Sequence, residues 1–123
     1  MYQYYNPNPY HKSVGDCTLR ALTKALGISW DRAYAETVVH GFRLGDMPSS
    51  DNVWSAPLRM RGFIRSEIPC SDCYTIEDFC RDHPTGTYVV GTGTHAACVQ
   101  DGTLYDAWDS SHETVSYFWR NER

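Results

Sequence analysis

The chain has no block of basic residues and no long run of apolar residues, and each absence excludes a class of partner. Its 123 residues carry a net charge of −4, whereas a protein that binds nucleic acid favours a basic patch or stripe. The longest apolar stretches span only a few residues, far short of the ~20 that cross a bilayer as a helix. Neither nucleic acid nor a membrane is therefore expected as a partner.

The first residues also lack the basic start and the apolar stretch of a secretory signal peptide. Without export, the five cysteines are expected to be free thiols rather than a disulfide framework, and their odd number agrees with this. We therefore expect a cytoplasmic protein. Hydrophobic residues at 41% and aromatic residues at 14% are typical of a folded chain, and the length predicts a single domain over residues 1–123.

Two helical patterns stand near the beginning of the chain. Leucines on one face predict a helix from Asp16 to Leu26 that Gly27 ends. Ser13 and Asp16 have the spacing of a capping box at its start. A second helix is predicted from the N-cap Ser29 to Gly41.

The remainder of the chain combines an extended arm, further helical segments and strands. Residues 1–12 are rich in proline and predict an extended arm. Pro57 would kink or split a helix between Asp51 and Arg61, and a further helix is predicted from Thr75 to Asp82. Four strands are then predicted: Thr87–Gly91, His95–Gln100, Thr103–Trp108 and Thr114–Trp119. Helices followed by an antiparallel sheet indicate an α+β fold.

Cys17 is the candidate nucleophile, because it stands where a glycine turn runs into the first predicted helix. A free thiol has a pKa of about 8.5 and is a weak nucleophile at neutral pH. The unsatisfied N–H groups of a helix N-terminus favour the thiolate. His95, at the start of a predicted strand, could accept the thiol proton and later return it as a general acid. Cys17 and His95 are therefore predicted to be the nucleophile and the base of a cysteine-dependent active site.

The hairpin around Asp101-Gly102 selects the third member. A two-residue turn there places Ala97 opposite Asp106. Because side chains alternate along strands, one face carries His95, Ala97, Leu104, Asp106 and Trp108. Asp106 then lies diagonal to His95, whereas Asp109 would lie on the opposite face. Asp106 is therefore predicted to orient the imidazole.

Three short runs carry a family resemblance: Val14-Gly15-Asp16-Cys17 with Arg20-Ala21, His95-Ala96, and Asp101-Gly102 with Asp106-Ala107-Trp108-Asp109. They are similar to small papain-like cysteine peptidases of bacteria and phages and, more distantly, to the peptidase domains that process bacteriocin leaders. The resemblance extends from Asn8 to Ser110. It implies a papain-like fold of N-terminal helices packed on a C-terminal antiparallel sheet. It also implies that Cys17 is the nucleophile, His95 the base and Asp106 the orienting acid.

One position departs from that family. Papain-like enzymes usually carry a glutamine about six residues before the nucleophile, and its amide helps to hold the oxyanion. His11 stands there in this chain. Asn8, Asn6 or Gln3 could donate an amide N–H instead, together with the backbone N–H of Cys17, and Asn8 is the preferred oxyanion candidate.

Other interpretations compete for the cysteines. Cys17 could be a small buried residue at a helix start. Cys70, Cys73, Cys80 and His83 have a spacing that could supply four zinc ligands. Cys80 and His83 lie one turn apart in a predicted helix, however, and Cys80 belongs to its apolar face. A core role is favoured there, so neither a metal nor another cofactor is predicted.

The site residues therefore predict a thiol hydrolase that cleaves a peptide or isopeptide bond of a peptide or protein substrate through a thioester acyl-enzyme. A transglutaminase-like acyl transferase would use the same residues. A non-catalytic binding or host-interaction module that keeps the fold is the alternative from a different class. His11 in place of glutamine favours that alternative, and the intact set of cysteine, histidine and acid opposes it.

Overall fold

The computed structural model describes residues 1–69 and 73–121, over which the chain adopts an α+β fold. The helices are α1 Cys17–Leu26, α2 Trp30–Leu44, α3 Asp51–Trp54, α4 Ala56–Met60 and α5 Ile76–Asp82. The strands are β1 Tyr2–Tyr4, β2 Phe63–Glu67, β3 Thr87–Gly91, β4 Ala96–Gln100, β5 Thr103–Asp106 and β6 Tyr117–Asn121.

The described strands form one sheet in the order β1-β5-β4-β3-β6-β2. β1 runs parallel to β5, and the other neighbouring strands pair in antiparallel fashion. The sheet is therefore a mostly antiparallel one, as the α+β prediction requires. No helix in the described part of the chain combines the length and apolar character needed to cross a bilayer.

Hydrophobic clusters cover both faces of the sheet. Residues of α1–α4 pack on one face against alternate strand positions, among them Val89 and Ala96. Residues of α5 pack on the other face with the neighbouring positions Val90 and Ala97. This alternation is the two-residue period of a strand that is buried on both sides. The central strands β3 and β4 consequently form a rigid support for the residues at their ends.

The first helix begins one residue later than predicted. Asp16 is its N-cap, but the Asp16 side chain makes no capping hydrogen bond, so the capping box predicted with Ser13 is wrong. The carboxylate instead accepts hydrogen bonds from Arg20 and Trp30. Side chains one turn further along α1 and at the start of α2 have thus replaced the local cap as partners of this carboxylate.

The second helix continues past Gly41 and ends before Gly45, which adopts the left-handed conformation at φ 66°. The predicted end at Gly41 is therefore wrong. Gly41 lies inside the helix. A glycine is required at this position because a Cβ would lie 2.9 Å from the carbonyl oxygen of Asp46 in the loop that follows the helix.

The later helices follow the predictions. Pro57 lies in the first turn of α4, and the helical segment around it is split at Ser55. α5 begins after the N-cap Thr75, whose hydroxyl accepts from the Asp78 N–H in a capping box. Pro57 is tolerated in the first turn of α4 because the first N–H groups of a helix have no intrahelical acceptor.

Two strands were not predicted as strands. β1 lies in the arm predicted to be extended, and its pairing with β5 makes it a strand. β2, over Phe63–Glu67, is an end strand of the sheet in which only Phe63 is buried. β1 has only three residues, and the apolar residues of β2 are adjacent, so neither segment gives the alternation over 4–8 residues that indicates a strand from sequence.

The hairpin between β4 and β5 has the predicted register. Asp101 and Gly102 form the two-residue turn with φ of 50° and 76°, which is the conformation that this kind of hairpin favours. Gln100 pairs with Thr103 and Val99 with Leu104. His95 and Asp106 consequently lie at adjacent strand ends.

Candidate active site

Cys17 is the first residue of α1 and lines a cleft between that helix and the loop that leads into β4. Its thiol is partly buried. The backbone N–H of Ala96 and the His95 ring both stabilise negative charge on the sulfur and lower its pKa. The N–H groups of the first helical turn also favour negative charge at this position. A thiolate at Cys17 is thus stabilised from two elements.

His95 immediately precedes β4, and its main chain is held in a tight turn. The Thr92 hydroxyl accepts from the His95 N–H over 3.0 Å, while the Thr92 N–H donates to the His95 carbonyl over 2.8 Å. The ring Nε2 lies 2.7 Å from Asp106 Oδ2. Because Nε2 is engaged by the acid, Nδ1 is the nitrogen left for Cys17. The Trp108 ring packs against the imidazole of His95, with 5.0 Å between the ring centroids.

Asp106 is fully buried at the end of β5. Oδ2 accepts from His95 and, over 2.6 Å, from the Ser110 hydroxyl. Oδ1 accepts from Arg20 Nε over 3.1 Å and from the Ala107 N–H over 2.8 Å. Each carboxylate oxygen is therefore held by two of these four groups. The structure brings the predicted Cys17, His95 and Asp106 together, and Asp109 lies apart, accepting from the Ser111 N–H.

These contacts set the charges of the site. Burial opposes the imidazolium, but the hydrogen bonds with Asp106 and Cys17 outweigh it and raise the pKa of His95 to about 9. Burial likewise opposes the thiolate, but the His95 and Ala96 hydrogen bonds outweigh it and lower the pKa of Cys17. The pKa of Asp106 is also lowered, because the hydrogen bonds from His95 and Ser110 outweigh its burial. The arrangement favours a thiolate–imidazolium ion pair beside an ionised acid.

Arg20 was not predicted as a site residue. It lies one turn after Cys17 and is 6% exposed. Its Nη1 donates to Asp16 over 2.6 Å while its Nε donates to Asp106. The other oxygen of Asp16 accepts from the Trp30 indole over 2.9 Å. The four-residue spacing of Asp16 and Arg20 is visible in the sequence, but Asp106 as a second partner follows only from the fold.

The preferred oxyanion candidate does not line the cleft. Asn8 is buried, and its side-chain oxygen accepts from the Tyr10 and Lys12 N–H groups. It lines the neighbouring cavity instead. The side-chain amides of the alternatives Asn6 and Gln3 donate to backbone carbonyls of Lys12 and Tyr4. A side-chain amide from this arm is therefore not supported as the oxyanion donor.

Side chains with hydroxyl groups line the cleft that contains the thiol. The cleft has a volume of about 470 Å³, and its walls include Ser49, Thr94, Ser116 and Tyr117. Burial raises the pKa of Tyr117 to about 12, so its phenol keeps its proton as a donor. Sequence reasoning did not find these residues, because they come from three separate loops and strands.

The cysteines considered for zinc have different surroundings. Cys70 lies outside the described residues. Cys80 is buried, with its pKa raised by burial, and Cys73 is exposed. The His83 ring stacks on Phe79 with centroids 3.8 Å apart. Cys80 and Phe79 share a hydrophobic cluster, which matches the core role favoured from the sequence.

No family model matches the chain, and neither a curated protein nor a solved structure matches it. The resemblance to papain-like peptidases consequently remains a prediction from short motifs. The arrangement of Cys17, His95 and Asp106 is the feature from which a function can be argued.

Proposed function

We propose that the protein is a thiol hydrolase of papain-like type that cleaves a peptide or isopeptide bond with Cys17, His95 and Asp106. The observation that carries this proposal is the convergence of three side chains: the thiol at the α1 N-terminus, the imidazole that lowers its pKa, and the buried carboxylate 2.7 Å from that imidazole. An activated thiol needs a base, and the base needs an orienting group. Each of the three residues supplies one of these parts.

In the first half-reaction, the Cys17 thiolate attacks the carbonyl carbon and a carbon–sulfur bond forms. The negative charge moves to the carbonyl oxygen, where the N–H of Cys17 and the hydroxyls of the cleft are the available donors. His95 then gives its Nδ1 proton to the leaving nitrogen as the carbon–nitrogen bond breaks. The products are a free amine and a thioester on Cys17.

In the second half-reaction, neutral His95 takes a proton from water as the water oxygen attacks the thioester carbon. Cleavage of the carbon–sulfur bond releases a carboxylic acid and restores the thiolate–imidazolium pair. Throughout the cycle, His95 Nε2 keeps its proton and donates it to the Asp106 carboxylate. The proton that moves in each step is therefore carried by His95 Nδ1. An amine in place of water would give acyl transfer by the same route.

The proposal is tested by incubating the protein with a complex peptide mixture in H₂¹⁸O and identifying new termini by mass spectrometry. Hydrolysis places ¹⁸O in the new carboxylates, whereas acyl transfer gives amides without it. Cys17→Ala should abolish both products. The matched control is Cys73→Ser, which removes an exposed thiol and should leave the product yield unchanged.

Absence of any product that depends on Cys17 across chemically diverse mixtures would contradict the hydrolase. The non-catalytic binding module would then be the better description of the fold.

A further inference from the structure

The second helix, α2, exposes a mostly apolar face to solvent. The buried positions of this helix recur every four residues, at Ala33, Thr37 and Gly41. The other side carries large apolar side chains about one turn apart, and all of them are exposed: Tyr34, Val38, Val39 and Phe42. Phe42 is 88% exposed. Side chains at this spacing are neighbours on a helix surface, and contiguous exposed apolar surface is typical of an interaction site.

A groove of about 450 Å³ between α2 and α4 extends this apolar face. Ala35 and Val39 line the groove from α2, and Met60, which is 72% exposed, lines it from α4. In the described part of the chain, no residue that lines this groove also lines the Cys17 cleft. The apolar face therefore continues onto a second helix and is separate from the candidate active site.

Arginine residues also line the groove. They are Arg32, Arg43 and Arg61, and Glu36 is the only carboxylate among the described residues that line it. Arg61 donates to the two oxygens of Glu36 over 2.9 and 2.8 Å, and Arg32 Nε donates to one of them over 2.8 Å. The hydrogen bonds from Arg61 and then Arg32 lower the pKa of Glu36 to about 2. Glu36 is therefore ionised and already engaged by two cations.

The positive charge of the groove exceeds the negative charge beside it. Arg43 lies exposed in the last turn of α2, and no described residue accepts a hydrogen bond from it or pairs with its charge. The walls hold three guanidinium groups against one carboxylate, although the whole chain has a net charge of −4. Asp31 and Asp46 stand near opposite ends of α2 and do not line the groove. This surface complements a partner that is both apolar and acidic.

We propose that the groove and the apolar face beside it dock an amphipathic helix of a partner protein, with acidic residues along one side of its apolar stripe. The stripe packs on Val38, Phe42 and Met60, and the acidic side faces Arg32 and Arg43. Helices recognised in this way supply anchors one turn apart, which matches the spacing of Val38 and Phe42. An extended peptide fits less well, because the surface of a helix offers no partners to its backbone N–H and C=O groups.

A second copy of this chain also fits the surface less well. The same face of another copy would bring three further arginines, and its Glu36 is already paired with Arg32 and Arg61. Like charges brought together across an interface oppose association. An acidic partner instead supplies the carboxylate that Arg43 lacks. The proposal concerns binding alone and does not depend on the chemistry of Cys17.

Displayed helical peptides of about 20 residues test the proposal, since helices shorter than about 12–15 residues are marginal on their own. Each peptide carries leucine along one stripe, and the positions on both sides of the stripe are randomised among glutamate, lysine and serine. The target is Cys17→Ala, so that no peptide is cleaved. Glutamate should be enriched on one side, and replacing it with lysine should weaken binding about 10-fold or more. No enrichment, or enrichment of lysine, would overturn the proposal.

Four variants locate the binding site of the selected peptide. Phe42→Ser should weaken binding about 10-fold or more, because a large apolar anchor is lost. Arg43→Gln should weaken it about 2- to 5-fold for one exposed ion pair, and this difference should shrink as salt is raised. The matched controls Ile64→Ser and Arg81→Gln change exposed residues on β2 and α5 and should leave the affinity unchanged. Equal affinity for the parent, Phe42→Ser and Arg43→Gln would place the peptide elsewhere and overturn the proposal.

Two measurements without peptide complete the test. In chains that keep Cys17, the alkylation rate of this thiol and the protection of Cys98 should be the same in Phe42→Ser and Arg43→Gln as in the parent, which shows that the variants fold. Sedimentation velocity of the protein alone should give a monomer. A dimer that Phe42→Ser dissociates would assign the surface to a second copy and overturn the acidic partner. Failure of the hydrolase tests leaves these expectations unchanged, so the two proposals fail separately.

Discussion

Arg20 and Asp106 stand 86 positions apart in the sequence and form an ion pair in which both side chains are buried. Arg20 occupies Oδ1 of the carboxylate, so Oδ2 is directed to His95. Arg20 also holds Asp16 at the start of α1. One guanidinium therefore connects the helix that carries the nucleophile to the strand that carries the acid.

We predict that Arg20→Gln weakens both the fold and the activation of the thiol. Asp16 and Asp106 would lose their shared cation, and breaking a buried ion pair costs about 3–5 kcal/mol. The charge of Arg20 also contributes to the lowered pKa of Cys17, so the alkylation profile of the thiol should move to higher pH. Urea denaturation and pH-dependent alkylation measure the two effects.

Arg32→Gln is the matched control, because Arg32 also pairs with an acid four positions away but is 66% exposed. An exposed pair contributes at most about 1 kcal/mol. If Arg32→Gln and Arg20→Gln changed stability and the alkylation profile equally, the buried network would have no special role.

Asp106→Asn should lower turnover by on the order of 10²- to 10⁴-fold, because a neutral amide replaces the carboxylate that fixes the tautomer of the imidazole and stabilises the imidazolium. The same change removes one of the two carboxylates that pair with the buried Arg20, so the free energy of unfolding should fall as well. Asp109→Asn should change neither quantity appreciably, since Asp109 is exposed and accepts only a local hydrogen bond from Ser111. Steady-state kinetics on both variants check the ranking, and a larger loss for Asp109→Asn would contradict the assignment.

Iodoacetamide labelling should identify Cys17 as the first thiol to react. Its pKa is lowered despite burial, by the hydrogen bonds with His95 and Ala96. Burial raises the pKa of Cys98 to about 12, so this thiol is an internal reference that should stay unlabelled. His95→Ala should shift the Cys17 profile towards that of an ordinary thiol. Mass spectrometry across pH measures the profile, and labelling of Cys17 no faster than Cys73 would exclude an activated nucleophile.

Activity should follow a bell-shaped dependence on pH. The active form has a Cys17 thiolate and a protonated His95. Activity should therefore rise as pH passes the lowered pKa of Cys17, and it should fall as pH passes about 9, where His95 loses its proton. In Asp106→Asn the descending limb should move to lower pH, since the Asp106 hydrogen bond raises the pKa of His95. If the descending limb stays at the same pH in Asp106→Asn, the loss of activity at high pH is caused by a group other than His95.

Gly91→Ala should destabilise the protein and disturb the cleft. A Cβ at Gly91 would lie 2.0 Å from the Tyr117 ring, which crosses the strand at this point. Displacing a packed ring costs about 1–3 kcal/mol. Gly93→Ala is the matched control because a Cβ there meets nothing within 4 Å. In a Tyr117→Ala background, Gly91→Ala should reduce the stability far less. Thermal unfolding of the parent protein, the two single variants and the double variant measures this coupling.

Local patterns were sufficient for most helices and for the hairpin that brings His95 to Asp106. They were sufficient there because the turn at Asp101 and Gly102 fixes the register, and the register fixes the side-chain face. They failed where a polar side chain had a choice of partners that the fold decides. Asp16 was expected to cap its own helix, but Arg20 and Trp30 engage its carboxylate. Nothing near Asn8 in the sequence shows that its side-chain oxygen accepts hydrogen bonds from the Tyr10 and Lys12 N–H groups.

The parallel pairing of β1 with β5 joins the first residues of the chain to the strand that carries the acid. The Tyr2 hydroxyl and the Tyr5 N–H donate to the main-chain carbonyl of Asp106, over 3.1 and 2.8 Å. Contacts across about a hundred residues close slowly, because chain entropy is lost before they form. During synthesis Cys17 leaves the ribosome long before Asp106. The thiol of a growing chain therefore stays unactivated until the last strands have folded onto the first.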